Sequence, residues 1–114
     1  VDLFLKDTIP PTKEKRMPKV TGIYEHTLDI SDVRGKMKLA LDDLLKAFEM
    51  QDISVIEEKN YFKFEGISRG VNTKGTIDIH DTNVEVTIDL PFSALAFKGR
   101  IQNAIDKRVP LFLE

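Results

Sequence analysis

From Val84 to Leu90 the chain alternates without a break. Val84, Val86, Ile88 and Leu90 are apolar, and Glu85, Thr87 and Asp89 between them are polar. A period of two sends successive side chains to opposite faces of a strand. Such a strand belongs in a sheet with one buried and one wet face, the arrangement that antiparallel sheets allow. The chain around it must therefore supply partner strands and something to cover the apolar side.

The partners read off in both directions. Lys19–Ile30 alternates, with Val20, Tyr24, Leu28 and Ile30 on one parity and Thr21, Glu25, Thr27 and Asp29 on the other. His26 falls on the apolar parity and reads as a partly buried, hydrogen-bonded histidine. Ile53–Glu58 is a short strand, and Glu58-Lys59-Asn60 turns into a strand carrying Phe62 and Phe64 on one face and Lys63 and Glu65 on the other. Gly66, Gly70 and Gly75 punctuate the next stretch and predict a bulge or a loose turn through Val71-Asn72-Thr73. Ile77 and Ile79 then face inward, and Asp81-Thr82-Asn83 turns the chain into the alternating strand.

Two helices supply the cover. Ser31–Met50 opens on a residue suited to capping and carries Asp32 at the positive end of the dipole. Val33, Met37, Ala40, Leu41, Leu44, Leu45 and Phe48 form its apolar stripe, and the charges opposite are of mixed sign. The stripe reads as sheet-facing core. The rival reading, adsorption to a lipid layer or storage granule, is weakened by those mixed signs. Pro91 ends the alternating strand and suits the first turn of a second helix, in which Ile101, Ala104, Ile105 and Val109 share a face. Pro110 is expected to stop that helix.

The expected fold is therefore α+β: strand, helix, about four more antiparallel strands, helix, with both helices on one face of a curved sheet. Residues 1–18, with Pro10, Pro11 and Pro18, read as an N-terminal arm, and residues 19–114 as a single domain. The arm is read either as a docking segment or as a tail packing on its own domain or partly disordered. Its VDLFL run and the closing LFLE offer apolar ends to a homodimer contact. VDLFLKDTIPP is too short and too charged for a secretory signal, and a start at Val1 suggests a processed, trimmed or alternatively initiated chain.

Composition narrows the chemistry. With no cysteine there is no disulfide, thiolate metal site or cysteine nucleophile. That suits a cytoplasmic protein. The net charge is −2. Lys6, Lys13, Lys15 and Arg16 against Asp2, Asp7 and Glu14 leave residues 1–18 one positive charge in excess and the remainder three negative. A protein that neutralises many phosphates carries a basic excess, so broad nucleic-acid binding is disfavoured. No run approaches the roughly 20 apolar residues of a membrane span.

No residue stands out as catalytic, cofactor-binding or metal-ligating, and no cofactor is implied. Asp78, His80, Asp81, Glu85 and Asp89 cluster in sequence, but they read as polar positions beside a tight turn. GISRGVNTKG lacks the Gly-Lys-Ser/Thr ending of a phosphate loop. Lys98, Gly99 and Arg100 sit where a helix start could hold an anion on free backbone N–H groups, or simply form a solvated helix entry. Tyr61, Phe62 and Phe64 resemble the aromatics of an RNA-binding sheet, yet Phe62 and Phe64 read more simply as core.

Taken together, RGKMKLALDDLLKAF and the run from Tyr61 to Val109 resemble a small bacterial family, the putative polyhydroxyalkanoic acid system proteins. The resemblance covers about residues 18–109. It rests on Arg34, on Gly75-Thr76-Ile77, on Leu90-Pro91, on Phe97 to Ile101 and on the closing helix. It implies a link to polyester storage granules and supplies no activity, cofactor or catalytic residue. The same order of elements occurs in ribosome-associated hibernation factors, an analogy of fold alone.

Three functions stand as expectations. A non-enzymatic accessory or interaction protein of storage granules predicts an exposed apolar patch or an open sheet edge. A carrier of a small hydrophobic ligand predicts a cavity of some hundreds of Å³ between sheet and helices. An enzyme predicts converging polar groups inside such a cavity, and the sequence offers none.

Overall fold

The computed structural model describes residues 19–114. The arm at residues 1–18, and with it the reading of that arm as a docking segment, lies outside the described residues. Strands β1 (Lys19–Glu25), β2 (Met50–Glu57), β3 (Tyr61–Ser68), β4 (Val71–Ile79) and β5 (Asn83–Asp89) form one antiparallel sheet in the order β1-β5-β4-β3-β2. Helix α1 (Ile30–Ala47) crosses from one edge strand to the other, and a 3-10 helix (Phe92–Phe97) leads into α2 (Lys98–Phe112). The α+β class, the five antiparallel strands and the single helical layer are as the sequence predicts.

Register explains why one face is apolar throughout. Val20 pairs with Ile88, Ile88 with Gly75 and Gly75 with Phe64. Two residues along, Gly22, Val86, Ile77 and Phe62 form the next row. Val33, Met37, Leu41 and Leu44 of α1 and Ile105 and Val109 of α2 are buried against these rows. The opposite face stays open to water and is mainly polar, with Ile23 and Ile56 exposed on its two edge strands. Lys19, Asp89, Lys74 and Glu65 succeed one another across four strands with alternating sign, beside a row of Thr21, Thr87 and Thr76. Cross-strand pairs of this kind each add a few tenths of a kcal/mol up to about 1 kcal/mol.

Glycine makes room in the buried face. The Phe64 ring lies over Gly75, where a Cβ would overlap the ring, and the Tyr24 ring likewise lies over Gly22. The second contact lets the Tyr24 hydroxyl reach Asp106 Oδ1 at 2.6 Å, tying β1 to α2. Arg34 ties α1 to the far side of the sheet. Its guanidinium donates to the carbonyls of Lys59 and Glu58, each at 3.2 Å, and sits 5.3 Å from the Phe62 ring centre.

Several boundaries differ from the expected ones, each for a local reason. The first strand ends at Glu25 and not at Ile30. The His26 N–H donates to the Thr82 carbonyl, and the Leu28 N–H donates to His26 Nδ1, so the chain turns out of the ladder there. The first helix starts one residue early, with Asp29 at the cap position instead of Ser31. The Asp29 carbonyl accepts the Asp32 and Val33 N–H groups, with no side-chain cap. The helix also ends early, at Ala47, because Glu49 takes a left-handed conformation (φ 53°) and releases Met50 into β2. The turn expected at Val71-Asn72-Thr73 is instead Arg69-Gly70, both at positive φ as a two-residue hairpin requires, and Val71–Thr73 are paired strand. Pro110 does not stop α2, which runs on to Phe112. Phe112 and Leu113 pack against the core, and the last turn tightens as the Leu113 N–H bonds the Pro110 carbonyl at 3.0 Å.

Gly75→Ala should destabilise the fold by about 1–3 kcal/mol through overpacking against Phe64. Gly35→Ala, with open space around it inside α1, should stabilise it by about 0.5–1 kcal/mol. Urea unfolding followed by circular dichroism reads both. Arg34→Ala should cost about 1–2 kcal/mol by the same measurement, and Arg34→Lys should recover less than half, since an ammonium lacks the planar fork that reaches two carbonyls.

Tyr24 supplies a pH test. Burial, then the hydrogen bond to Asp106 and its charge, hold the phenol well above its usual range. The folded state thus keeps the proton after the unfolded chain has lost it. The contribution is complete below the unfolded value of about 10 and is lost as pH climbs above it. The stability gap between wild type and Tyr24→Phe should therefore be constant up to about pH 10 and shrink beyond it.

Candidate functional site

Where α1 ends and α2 begins, the helices part and the sheet continues beneath them. A pocket of about 230 Å³ opens there. Its floor is Val71, Thr73, Ile88 and Leu90 of the buried sheet face; Ala47 and Phe48 close one side, and Ala94, Phe97, Ile101 and Ala104 the other. Small side chains create the gap: Ala47, Ala94 and Ala104 stand where larger residues would meet across it. Thr73 is buried, and its hydroxyl donates to the Val71 carbonyl at 3.1 Å. The Ser68 hydroxyl donates to the Phe48 carbonyl. Both polar groups in the apolar lining are thereby satisfied within the wall.

Three arginines, Arg69, Arg100 and Arg108, complete the lining. Arg69 Nη2 lies 2.8 Å from Glu49 Oε2, and Arg108 Nη1 lies 2.9 Å from Asp43 Oδ2. The second pair also joins the two helices. Arg100 has no ion-pair partner among the described residues, and its guanidinium carbon lies 5.7 Å from the centre of the Phe97 ring. Among the described residues no carboxylate, imidazole or amine lines the pocket. A hydroxyl there has no base beside it, so the lining offers an apolar cleft with a cationic edge and no acid–base pair.

The Phe92–Phe97 segment extends this site outward. In a 3-10 helix residues three apart share a side. Ala94 and Phe97 turn toward the pocket, whereas Phe92 and Leu95 are 62% and 50% exposed. Apolar surface is also exposed on edge strand β2, at Ile53, Val55 and Ile56. That edge is interrupted by a register shift between Gln51 and Ser54, with Asp52 at φ 52°. A bulge of this kind blunts an edge against further pairing.

The other sequence candidates fall elsewhere. His26 is buried and fully engaged: Nδ1 accepts from the Leu28 N–H, which leaves Nε2–H to donate to the His80 carbonyl at 3.0 Å. It sits at the opposite end of β4 from the pocket, roughly 25 Å away at about 3.3 Å per residue. Asp78 faces Glu85 across β4 and β5, and His80 Nε2 lies 3.9 Å from Glu85 Oε1 in an exposed pair. Among the described residues no three His, Asp or Glu side chains converge as metal ligands. Lys98, Gly99 and Arg100 are exposed, in keeping with a solvated helix entry and not with an anion held on free backbone N–H groups. The 3-10 helix runs straight into α2, and the Lys98 N–H bonds the Leu95 carbonyl. The cationic character of this entry comes from the exposed Lys98 and Arg100 side chains, of which Arg100 lines the pocket. The sequence allows for a cavity between sheet and helices and places Phe97 and Arg100 together, but it does not identify the lining, because Val71, Thr73 and Ala47 meet them only across the fold.

No described helix is long and apolar enough to cross a membrane. No curated protein matches the chain. A crystal structure of a protein from Thermus thermophilus is similar at 15% identity and a TM-score of 0.37, covering 84% of this chain and 92% of that one. At that score the likeness carries no argument. A family model does match, over residues 23–112. Two of the stretches that carry the family resemblance, Leu90-Pro91 and Phe97–Ile101, border the pocket, and two others, Arg34 and Gly75–Ile77, hold the sheet and helix together. The chain belongs to the family described as "Putative polyhydroxyalkanoic acid system protein".

Proposed function

We propose that this chain is a non-enzymatic accessory protein of polyhydroxyalkanoate storage, working in the cytoplasm, that engages apolar material through its Phe92–Phe97 end. One observation carries the reading: Phe92, Leu95 and Phe97 stand exposed on one short helix at the mouth of an apolar pocket. Exposed large side chains scattered singly are ordinary, but a group of them at a pocket rim marks a contact surface. The family description supports a hydrophobic polyester as the material. A pocket whose described lining holds no acid or base supports a binding role over a catalytic one.

The pocket also supports a second reading, in which the chain holds a small hydrophobic ligand between sheet and helices. Its 230 Å³ lies just below the roughly 300–1,000 Å³ of sites for drug-sized molecules, so the ligand would be a short one. The two readings share a surface. A ligand entering the pocket passes Phe97.

Co-sedimentation with polyhydroxybutyrate particles tests the first reading. Wild-type protein should pellet with the particles, and the double variant Phe92→Ser, Leu95→Ser should bind about tenfold more weakly, the loss of two apolar contacts. Both positions are exposed, so the variant should unfold within about 0.5 kcal/mol of wild type. Equal sedimentation of the two proteins, or none by wild type, would remove the reading.

A further inference from the structure

We infer that the pocket beneath Phe97 is a site for a single short acyl chain ending in a free carboxylate, with the carboxylate held at the mouth by Arg100. The inference rests on the second reading above, that the pocket holds a ligand, and adds the chemical class. Three observations carry it.

The first is the lining. Leu90, Ile88, Ala94, Ile101 and Ala104 form walls without a free polar group, so only an apolar body is retained there without a desolvation cost. The second is charge. Among the described residues the lining contains three guanidinium groups and no carboxylate. Glu49 and Asp43 neutralise two of the three from outside, leaving a single positive charge in excess at the mouth, on Arg100. The Arg100 guanidinium, 5.7 Å from the Phe97 ring centre, has no ion pair among the described residues, so its N–H fork can meet a carboxylate through two parallel hydrogen bonds. A cationic ligand would meet like charge, and a neutral one would leave the arginine as it is. The third is size. The cavity of about 230 Å³ lies below the roughly 300–1,000 Å³ of sites for drug-sized molecules, which favours one short chain over a bulkier body. A free acid is the simplest ligand that joins one such chain to a carboxylate, and the vesicle arm below separates it from a membrane lipid.

Calorimetric titration of the full chain with octanoate, 1-octanol and octylammonium tests this without any variant. Octanoate should bind most tightly, octanol about tenfold more weakly and octylammonium weakest of all, with octanoate affinity falling as salt is raised because the mouth is exposed. Arg100→Gln should bring octanoate down to the level of octanol and leave octanol unchanged. Ala104→Phe should abolish binding of both, with circular dichroism confirming that this variant folds. Phosphatidylglycerol vesicles form the lipid arm and should not compete with octanoate. Equal affinity for octanoate and octanol, or an Arg100→Gln variant with undiminished preference, would overturn the carboxylate site while leaving the pocket as a ligand site. Binding of none of the three would remove both. Vesicle binding without octanoate binding would assign the arginines to a membrane surface and overturn the inference. Neither the polyester sedimentation nor its Phe92 and Leu95 variants bears on these outcomes, so the two readings fail separately.

Discussion

Everything in this molecule hangs on the contact between one apolar sheet face and two helices laid across it. Phe62, Phe64, Ile77, Val86 and Ile88 on the sheet meet Met37, Leu44, Ile105 and Val109 on the helices, all of them buried. Fully burying one such side chain is worth about 1.5–3 kcal/mol. No other layer exists among the described residues to share the load, because the outer sheet face, mostly charged and threonine side chains with Ile23 and Ile56 at its edges, is open to water. The connections that look incidental serve this contact. Arg34 fastens one helix to the β2–β3 turn, Tyr24 fastens the other to β1, and Arg108 with Asp43 fastens the helices to each other.

The pocket is a by-product of the same geometry. Two helices of 18 and 15 residues cannot cover five strands completely, and they diverge where α1 gives way to β2 and the 3-10 helix gives way to α2. At that place the chain carries alanines, and the cleft stays open. The surrounding charges are arranged asymmetrically. Basic side chains reach the lining, while their acidic partners stand outside it. An overall acidic chain thus presents a locally cationic mouth, which net charge alone does not convey.

Sequence and structure disagree mainly at segment ends, and the disagreements share a cause. At His26, Glu49, Arg69 and Pro110 the outcome depends on a partner far away in the chain or on packing of the residues next along it. His26 takes its place through the carbonyls of Thr82 and His80. Arg69 accepts positive φ with its guanidinium against Glu49. Pro110 is carried within a helix because Phe112 and Leu113 beyond it pack on the core. Asn72 is a common turn residue, and it misleads here because Arg-Gly just before it forms the turn.

What the residues dictated unaided was periodicity. Two-residue alternation in four strands and three- to four-residue spacing in two helices set the number of layers and the side of each element that is buried, because a pleated strand and a helix each present their side chains at a fixed angular step. The family likeness was equally legible, carried by Arg34, Gly75, Leu90 and the Phe97–Ile101 run. Only the folded chain decided that Ala47, Thr73, Leu90 and Ala104 would face one another across an unfilled space, and that Arg100 would stand at its mouth without an acidic partner among the described residues. Those residues belong to separate elements. A gap between elements is a property of how the elements diverge, and no local pattern encodes it.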